Sequence, residues 1–416
     1  MKDYILTIGK KAKTASLDLA QSSVTTRNNM IKHIIKGLLS SKEMIINENK
    51  KDLELGKSNG LSTALLDRLE INETRIDGMI SGLNTIINFE DPIHESLKSW
   101  RHANGMQITQ LSVPLGVIGM IYESRPNVTV DVAGLSIKSG NCVILRGGSE
   151  AIYTNKALSQ VIRQAIISEG MNPDIVQLVE HTDRALVKDL ITMNDYLDVL
   201  IPRGGKGLKK AIIAGASVPV IETGEGLCHT YVDEYADLEN AIKIIMNAKT
   251  QRTGVCNAME TLLVHEKVAE MILPKLNELL TEKAFEIRAC EICFPYMRNA
   301  VLAVDEDWET EYLSSILSIK SVVSIEEAMT HINTYGSGHS EAIVTENYQL
   351  AEKFLNEVDA SAVYVNASTR FTDGEVFGFG GEVGISTQKL HARGPMGIKA
   401  LTTHKYIVRG NGQIRN

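Results

Sequence analysis

Nothing in these 416 residues is built for a disulfide framework, a membrane span or a nucleic-acid groove. Cysteine is scarce and odd in number, at positions 142, 228, 256, 290 and 293. An odd handful in a long chain is no disulfide scaffold and suits a reduced compartment. Cys290 and Cys293 form a lone C-x-x-C without a second pair spaced to complete a zinc site, so the pair reads as structural and no metal is expected. There is no basic block and the net charge is −8, which disfavours nucleic acid as a partner. Asp3, Lys10, Lys11 and Lys13 stand where a signal peptide needs an apolar core. The longest apolar run, near 113–122, is broken by Pro114, Gly116 and Gly119 and is far too short for a bilayer. A cytoplasmic location without membrane contact is the expectation.

What is present is ordinary globular material, 44% hydrophobic and 23% charged, in a chain longer than the ~250–300 residues at which single cores stop growing. More than one domain is therefore expected. Residues 1 to 89 read as successive helices, with Leu17, Ala20, Ile31, Ile34, Ile35, Leu38 and Leu39 at helical spacing and Thr25 or Thr26 as a cap before Arg27. Met106, Ile108 and Leu111 alternate with Gln107, Thr109 and Gln110, the pattern of an exposed strand, and Tyr406–Val408 reads as a second one near the C-terminus. Such edge segments are satisfied by pairing with another chain, which points to an oligomer.

From Gly116 onward apolar strands alternate with helical stretches, and five strands are expected: 117–122, 142–145, 175–179, 197–201 and 218–221. Continuous apolar strands joined by helical crossovers make a parallel, doubly wound sheet, with ligands at the carboxyl ends of its strands. Those ends carry Glu123-Ser-Arg-Pro-Asn127, Arg146-Gly-Gly-Ser149, Pro202-Arg-Gly-Gly-Lys206 and Glu222-Thr-Gly-Glu-Gly226. The G-x-G-x-x-G fingerprint is missing, but Gly-rich turns before helices suit phosphates through backbone N–H groups and the helix dipole. Glu123, Arg146, Ser149, Gly204, Gly205 and Lys206 are the candidate cofactor residues, with Arg146 and Lys206 suited to the 2′-phosphate of NADP(H). A second α/β region follows over 228–367. Near its start lies Lys249-Thr-Gln-Arg-Thr-Gly-Val-Cys256-Asn257, a turn placed to project a sulfur, with Lys249 and Arg252 near enough in sequence to favour a thiolate. An isolated Cys is more often a small buried apolar side chain.

Longer words narrow the reading. A nucleotide-type sheet, a Glu after its last strand and a Cys some thirty residues later resemble the aldehyde dehydrogenase superfamily. Tyr122-Glu-Ser-Arg-Pro-Asn127, Gln251-Arg-Thr-Gly-Val-Cys256-Asn-Ala, His331-Ile-Asn-Thr-Tyr-Gly-Ser-Gly-His-Ser-Glu341, Val363-Tyr-Val-Asn-Ala-Ser-Thr-Arg-Phe-Thr-Asp373 and Thr387-Gln-Lys-Leu-His-Ala-Arg-Gly-Pro-Met-Gly397 are similar, in order and across the chain, to its gamma-glutamyl phosphate reductase family.

That resemblance implies an α/β, aldehyde dehydrogenase-like fold of two doubly wound α/β domains, one Rossmann-like for cofactor and one catalytic, with a small β oligomerisation arm. The ranges are 1–103 with 112–227 and 386–401 for the NADP-binding domain, 228–385 for the catalytic domain, and 104–111 with 402–416 for the arm. The implied reaction is NADPH-dependent reduction of L-glutamyl 5-phosphate to the semialdehyde and phosphate, the second step of proline biosynthesis from glutamate. Cys256 matches the nucleophile that displaces phosphate as a thioester. Asn127, Asn257 and turn N–H groups are the candidate oxyanion donors. A dianionic substrate calls for cations, and Arg125, Arg252 and Arg370 are the candidates. Glu222 stands where the superfamily keeps its general base, although Glu-Thr-Gly-Glu-Gly departs from the usual Glu-Leu-Gly-Gly-Lys, and Glu311 resembles the ribose-binding Glu. His339 and His391 lie in these words with structural or catalytic roles open. A homo-oligomer (dimer or tetramer) and transient contact with glutamate 5-kinase are implied partners. The competing readings are a hydrolytic or CoA-acylating aldehyde dehydrogenase and an inert scaffold.

Overall fold

The structure, a computed structural model, describes residues 2–415. Met1 and Asn416, the outer ends of the expected 1–103 and 402–416 segments, lie outside the described residues. The chain divides into two compact units. One runs to Glu222 and takes in Gly378–Gly384 and the segment from Met396 onward; the other is Thr223–Phe377 with Ile385–Pro395. The sequence reading changes domain at 227/228 and returns once at 386. In the structure the first change falls at 222/223, and the return is split. Ile385–Ser386 and Gly394–Pro395 form a two-stranded antiparallel ladder, and the Gly224 N–H donates to the Ile385 carbonyl at 2.8 Å, which keeps 385–395 with the second unit.

The first unit begins with five helices: Lys2–Gln21, Val24–Ser40, Lys42–Ser58, Thr63–Leu69 and Glu73–Asn88. Ile5, Ile8, Ala12, Ala15 and Leu19 in the first, and Met30, Ile31, Ile34 and Leu38 in the second, form their buried stripes. Leu17 and Leu39, which share the sequence periodicity, face outward. The cap of the second helix is Ser23 rather than Thr25 or Thr26, because its hydroxyl accepts the Thr26 N–H at 3.1 Å. The parallel sheet has the order Val176–Leu178, Cys142–Arg146, Val117–Tyr122, Val199–Arg203. The expected fifth strand, 218–221, is reduced to a single bridge, Leu200 to Val220. Pro219 is the physical reason: it has no N–H to continue a ladder, and only its carbonyl is used, by Leu200 N–H at 2.8 Å.

A three-stranded antiparallel sheet also belongs to this unit, with Gln107–Pro114 between Ser96–Arg101 and Thr402–Arg409. The two exposed segments expected to seek another chain thus satisfy one another first. The outer strands remain exposed and carry Leu97, Trp100, Tyr406 and Val408.

The second unit is built on a seven-stranded parallel sheet, in the order Val301–Leu302, Glu286–Ala289, Ile316–Val322, Met259–His265, Cys228–Val232, Ser340–Val344, Ala362–Val365. Helices Leu238–Thr250 and Glu266–Glu282 cover one face through Ala241, Ile245, Ala248, Val268, Ile272, Leu273 and Leu276. Helices Ile325–Tyr335 and Tyr348–Glu357 contribute Ala328, Met329, Ile332 and Phe354 to a second core. Met259–His265 is buried throughout, so the turn before it, which holds Cys256, is anchored on a rigid element. Among the described residues no helix is long and apolar enough to cross a membrane.

Candidate functional site

Cys256 sits half-buried in the turn between helix Leu238–Thr250 and strand Met259–His265. Its backbone is clamped from two sides. Cys228 Sγ donates to the Cys256 carbonyl at 3.2 Å, and Gly226 packs so closely that a Cβ there would lie 1.6 Å from the same oxygen. Only glycine fits that position. The Gly226 N–H in turn donates to Glu311 Oε1 at 2.8 Å. One carboxylate oxygen of Glu311 therefore braces the loop against the Cys256 turn, within the second unit, whereas the resemblance assigns this residue to cofactor ribose.

The next residue, Asn257, is buried, and its amide is committed. Nδ2 donates to the carbonyls of Thr372 at 2.9 Å and Arg370 at 3.3 Å, and Oδ1 accepts from Arg370 Nη1. Its carbonyl accepts the Thr369 hydroxyl at 2.8 Å. With both amide hydrogens spent on carbonyls, the side chain has none to offer an oxyanion. The structure makes Asn257 the clip that fastens the 369–372 loop to the cysteine turn. Arg370 gains a second fastening, from Nε to Gln251 Oε1 at 2.8 Å. Burial, then the like charge of Arg252, weakens the hold of the Arg370 guanidinium on its proton, while Cys256 acts in the opposite direction. Arg252 and Cys256 thus each lie within electrostatic reach of Arg370, with Arg252 exposed.

Lys249 does not join them. It is fully buried against the equally buried Glu260 in an ion pair. Burial pushes the Glu260 carboxyl up to about 7 despite the adjacent ammonium. Lys249 is therefore an internal counter-ion, and the expected tuning of Cys256 by this lysine gives way to Arg370.

Behind the loop runs a buried relay. Thr372 Oγ1 is 2.6 Å from Ser340 Oγ and 2.8 Å from Tyr364 OH, and Ser340 Oγ is 2.8 Å from His339 Nδ1. His339 Nδ1 lies 3.7 Å from Cys228 Sγ, which closes the circuit to the Cys256 carbonyl. His339 is thus placed structurally. His391 lies in the ladder segment of the same unit.

In the first unit the strand ends gather several expected residues. Glu123 Oε2 accepts the Gly205 N–H at 2.9 Å, at the N-terminus of helix Lys206–Gly215. A Cβ on Gly204 would lie 2.5 Å from the same oxygen. Glu123 and Ser149 line a cavity of about 500 Å³ with Gly56, Leu61, Ser124 and Glu150. Lys206 is exposed at the helix start. Arg146, in contrast, turns inward: its guanidinium donates to the carbonyls of Gly147 and, at 3.0 Å, Thr182, and burial lowers its pKa. A head group spent on backbone carbonyls is not available to a 2′-phosphate, so the expectation for Arg146 is corrected. Arg125 is half-buried just before helix Asn127–Lys138. Asn127 Nδ2 donates to Asp131 Oδ2 at 2.8 Å, next to a carboxyl that burial pushes up. Glu222 is half-buried at the end of this unit.

Sequence reasoning overlooked Gln251, Thr372, Glu260 and Glu150. Gln251 stands inside a motif already singled out, and only its Arg370 partner identifies its use. Glu150 accepts both the backbone N–H and the hydroxyl of Ser124 at 2.7 and 3.0 Å, which no spacing announces.

The chain matches the aldehyde dehydrogenase family model over residues 3–287 and 294–407. A gamma-glutamyl phosphate reductase of Francisella philomiragia is 56% identical over 411 residues, covering 99% of each chain. The crystal structure of gamma-glutamyl phosphate reductase from Thermotoga maritima superposes with a TM-score of 0.96 at 47% identity, covering 99% of this chain and 100% of that one. An acetylating aldehyde dehydrogenase from Geobacillus thermoglucosidasius, 15% identical over 100% of this chain and 98% of its own, shares the fold with a TM-score of 0.72. Matched at this identity over its whole length, the chain belongs to the aldehyde dehydrogenase family and, within it, to the gamma-glutamyl phosphate reductases.

Proposed function

We propose that this protein reduces L-glutamyl 5-phosphate to L-glutamate 5-semialdehyde and phosphate with NADPH, the second step of proline biosynthesis from glutamate. The observation that carries the reading is the clamped Cys256 turn with the Arg370 guanidinium fastened beside it. A thiolate next to a fixed cation is suited to attack an acyl phosphate, whose leaving group is an anion. In the proposed sequence Cys256 Sγ attacks the acyl carbon and the C–O bond to phosphate breaks, leaving a thioester. Arg252 and Arg370 hold the departing phosphate, and Arg125 serves the substrate's α-carboxylate. Turn N–H groups stabilise the oxyanion, with Asn127 as the side-chain donor and Asn257 as the residue that positions Arg370. Glu222 lies outside any hydrolytic role, since a water activated there would waste the thioester, and is assigned to proton transfer or the cofactor wall.

Several features of the first unit fit a phosphate-bearing cofactor. The Gly204–Gly205 turn opens a ten-residue helix, where N–H groups and the dipole favour anions. The cavity of about 500 Å³ has the size of a nucleoside pocket. Glu123 and Ser149, which line the cavity, and Gly204, Gly205 and Lys206 at the helix start would hold the cofactor, with Lys206 at the 2′-phosphate and Glu311 left to its loop. The nicotinamide, when bound, supplies the hydride that converts the thioester to the aldehyde and returns the thiolate.

The exposed outer strands, with Trp100 and Tyr406, support assembly into a dimer or tetramer, and the lability of acyl phosphates supports transient contact with a glutamate 5-kinase. A cytoplasmic location goes with this reading. The test is the reverse reaction: semialdehyde oxidation should depend strictly on inorganic phosphate, and Cys256→Ser should fold with unchanged melting temperature while losing at least about a thousandfold in kcat. Turnover without phosphate, or a soluble Cys256→Ser enzyme near wild-type activity, would overturn it.

A further inference from the structure

Far along the sequence from Cys256, a second cysteine turn has features that a structural pair does not need. Cys290 follows strand Glu286–Ala289, and the Cys293 N–H donates to the Cys290 carbonyl at 3.0 Å. That i to i+3 bond makes a β-turn, which keeps the two Cα atoms within about 7 Å, and disulfides need about 4.4–6.8 Å. The two side chains are near enough to influence each other's ionisation. The Ser321 N–H, from the neighbouring strand, donates to Cys290 Sγ at 3.3 Å. Cys290 is half-exposed and Cys293 is fully buried, with Ile292 and Phe294 exposed around the turn. One partly exposed cysteine, whose sulfur accepts a backbone N–H, thus stands one turn before a buried cysteine within closing distance.

We propose that Cys290 and Cys293 form a thiol–disulfide exchange site that takes low-molecular-weight disulfides as its substrate. The Cys290 thiolate attacks one sulfur of the disulfide RSSR, forming a mixed disulfide and expelling RS⁻. The Cys293 thiol gives its proton to that RS⁻ and attacks the Cys290 sulfur, expelling the second RS⁻, which takes up a proton from solvent in place of the one Cys290 had already released. The protein is oxidised by two electrons to an intramolecular disulfide, and the small disulfide is reduced to two RSH.

The electrostatics agree. The neighbouring Cys293 thiol, against the opposing effect of burial, pulls Cys290 down to about 5, and the same interaction raises Cys293. By contrast, burial raises Cys142 and Cys228, which sit in cores. A thiol near 5 is mostly thiolate at pH 6, where an ordinary thiol is ionised to well under one part in a hundred. Lower basicity reduces nucleophilicity, with a Brønsted slope of about 0.4–0.5, so the net advantage at pH 6 is on the order of tenfold.

The experiment treats the reduced full-length protein with oxidised glutathione at pH 6, quenches with acid and maps the peptides by mass spectrometry. Wild type should show the Cys290–Cys293 disulfide, reversed by dithiothreitol. In wild type the Cys290 thiol should be consumed on the order of ten times faster than the same thiol in an unstructured peptide, and Cys293→Ser should trap glutathione on Cys290 as a mixed disulfide that does not resolve. Cys290→Ser should show neither disulfide nor adduct at Cys293, and both variants should keep wild-type reductase activity under reducing conditions. The site is independent of the proposed reduction. Modification confined to Cys256, a glutathione adduct on wild-type Cys290 that never closes, or a Cys290 rate no higher than the peptide's would each overturn it.

Discussion

The Arg146 turn and the Arg370 loop start from similar sequence cues and end in opposite roles. Each arginine lies in a polar segment just after an apolar strand, and each is a reasonable anion ligand on paper. Arg146 meets bare backbone carbonyls, of Gly147 and Thr182, and its Nη1 and Nη2 groups turn inward to donate to them. Arg370 meets side-chain oxygens, of Asn257 and Gln251, which fix the plane of the guanidinium beside Cys256. The difference teaches that a cation in a strand-end turn can serve as a ligand only where other side chains hold it without consuming it. Unfilled carbonyls nearby turn it into structure.

The sharpest way to break this comparison is to neutralise each arginine in turn. Arg370→Gln should lower kcat/KM by about a hundredfold to a thousandfold, the loss typical of a group that stabilises developing charge, with little change in melting temperature. Arg146→Gln should leave substrate KM and kcat near wild type but cost about 1–3 kcal/mol of stability, since it strands buried carbonyls. Steady-state kinetics and thermal melts on the two variants decide it. A catalytic defect in Arg146→Gln with normal stability would reverse the assignment.

The same contrast explains what the sequence made legible. Short apolar runs bounded by Gly and Pro placed the parallel strands and the Cys256 turn, because a strand buried on both faces needs only about four to eight such residues where a helix needs about ten or more. The fifth strand of the first sheet failed at Pro219, whose missing N–H outweighs the apolar character of Val218, Val220 and Ile221. Family words found Cys256, Arg370 and Asn257 but not their mutual orientation. Asn257 was assigned a donor role because an amide beside a nucleophile is a natural oxyanion donor, and nothing in the spacing says that Arg370 O and Thr372 O already take both hydrogens. The Thr372–Ser340–His339 relay was invisible for a similar reason: Thr372 lies 32 residues from the adjacent His339–Ser340 pair until the sheet assembles.

Lys249 extends the comparison to lysine. It lies seven residues before Cys256 yet faces Glu260 in the core, so its removal should act on stability and not on the thiol. Lys249→Met leaves Glu260 as a lone buried carboxylate and should cost about 3–5 kcal/mol at pH 8. The sign of the pH dependence follows from the raised carboxyl, already about 7 with the lysine present. The native state keeps its proton at pH values where the unfolded chain has released it, so stability falls as pH rises from the ordinary carboxylate range toward the folded value. The variant should regain much of its loss between pH 8 and pH 5, measured by denaturant unfolding at both. A pH-independent loss would show that Lys249 is held by packing alone.

Lys206 is the outward-facing counterpart, and the smallest effect belongs to it. It stands exposed at the start of helix Lys206–Gly215, one residue past the Gly205 N–H that Glu123 accepts. An exposed ammonium at that position contributes to binding by charge alone, without the bidentate geometry a guanidinium would add. Lys206→Ala should therefore raise the KM for NADPH by about tenfold, leave the KM for NADH nearly unchanged and leave melting temperature unaltered. Because the interaction is screened, the NADPH penalty should also shrink as salt rises from low to physiological ionic strength and beyond. If Arg146→Gln, rather than Lys206→Ala, were the variant that raised the KM for NADPH, the inward guanidinium would have to release its two carbonyls when cofactor binds. The proposed division between Arg146 as structure and Lys206 as ligand would then be reversed.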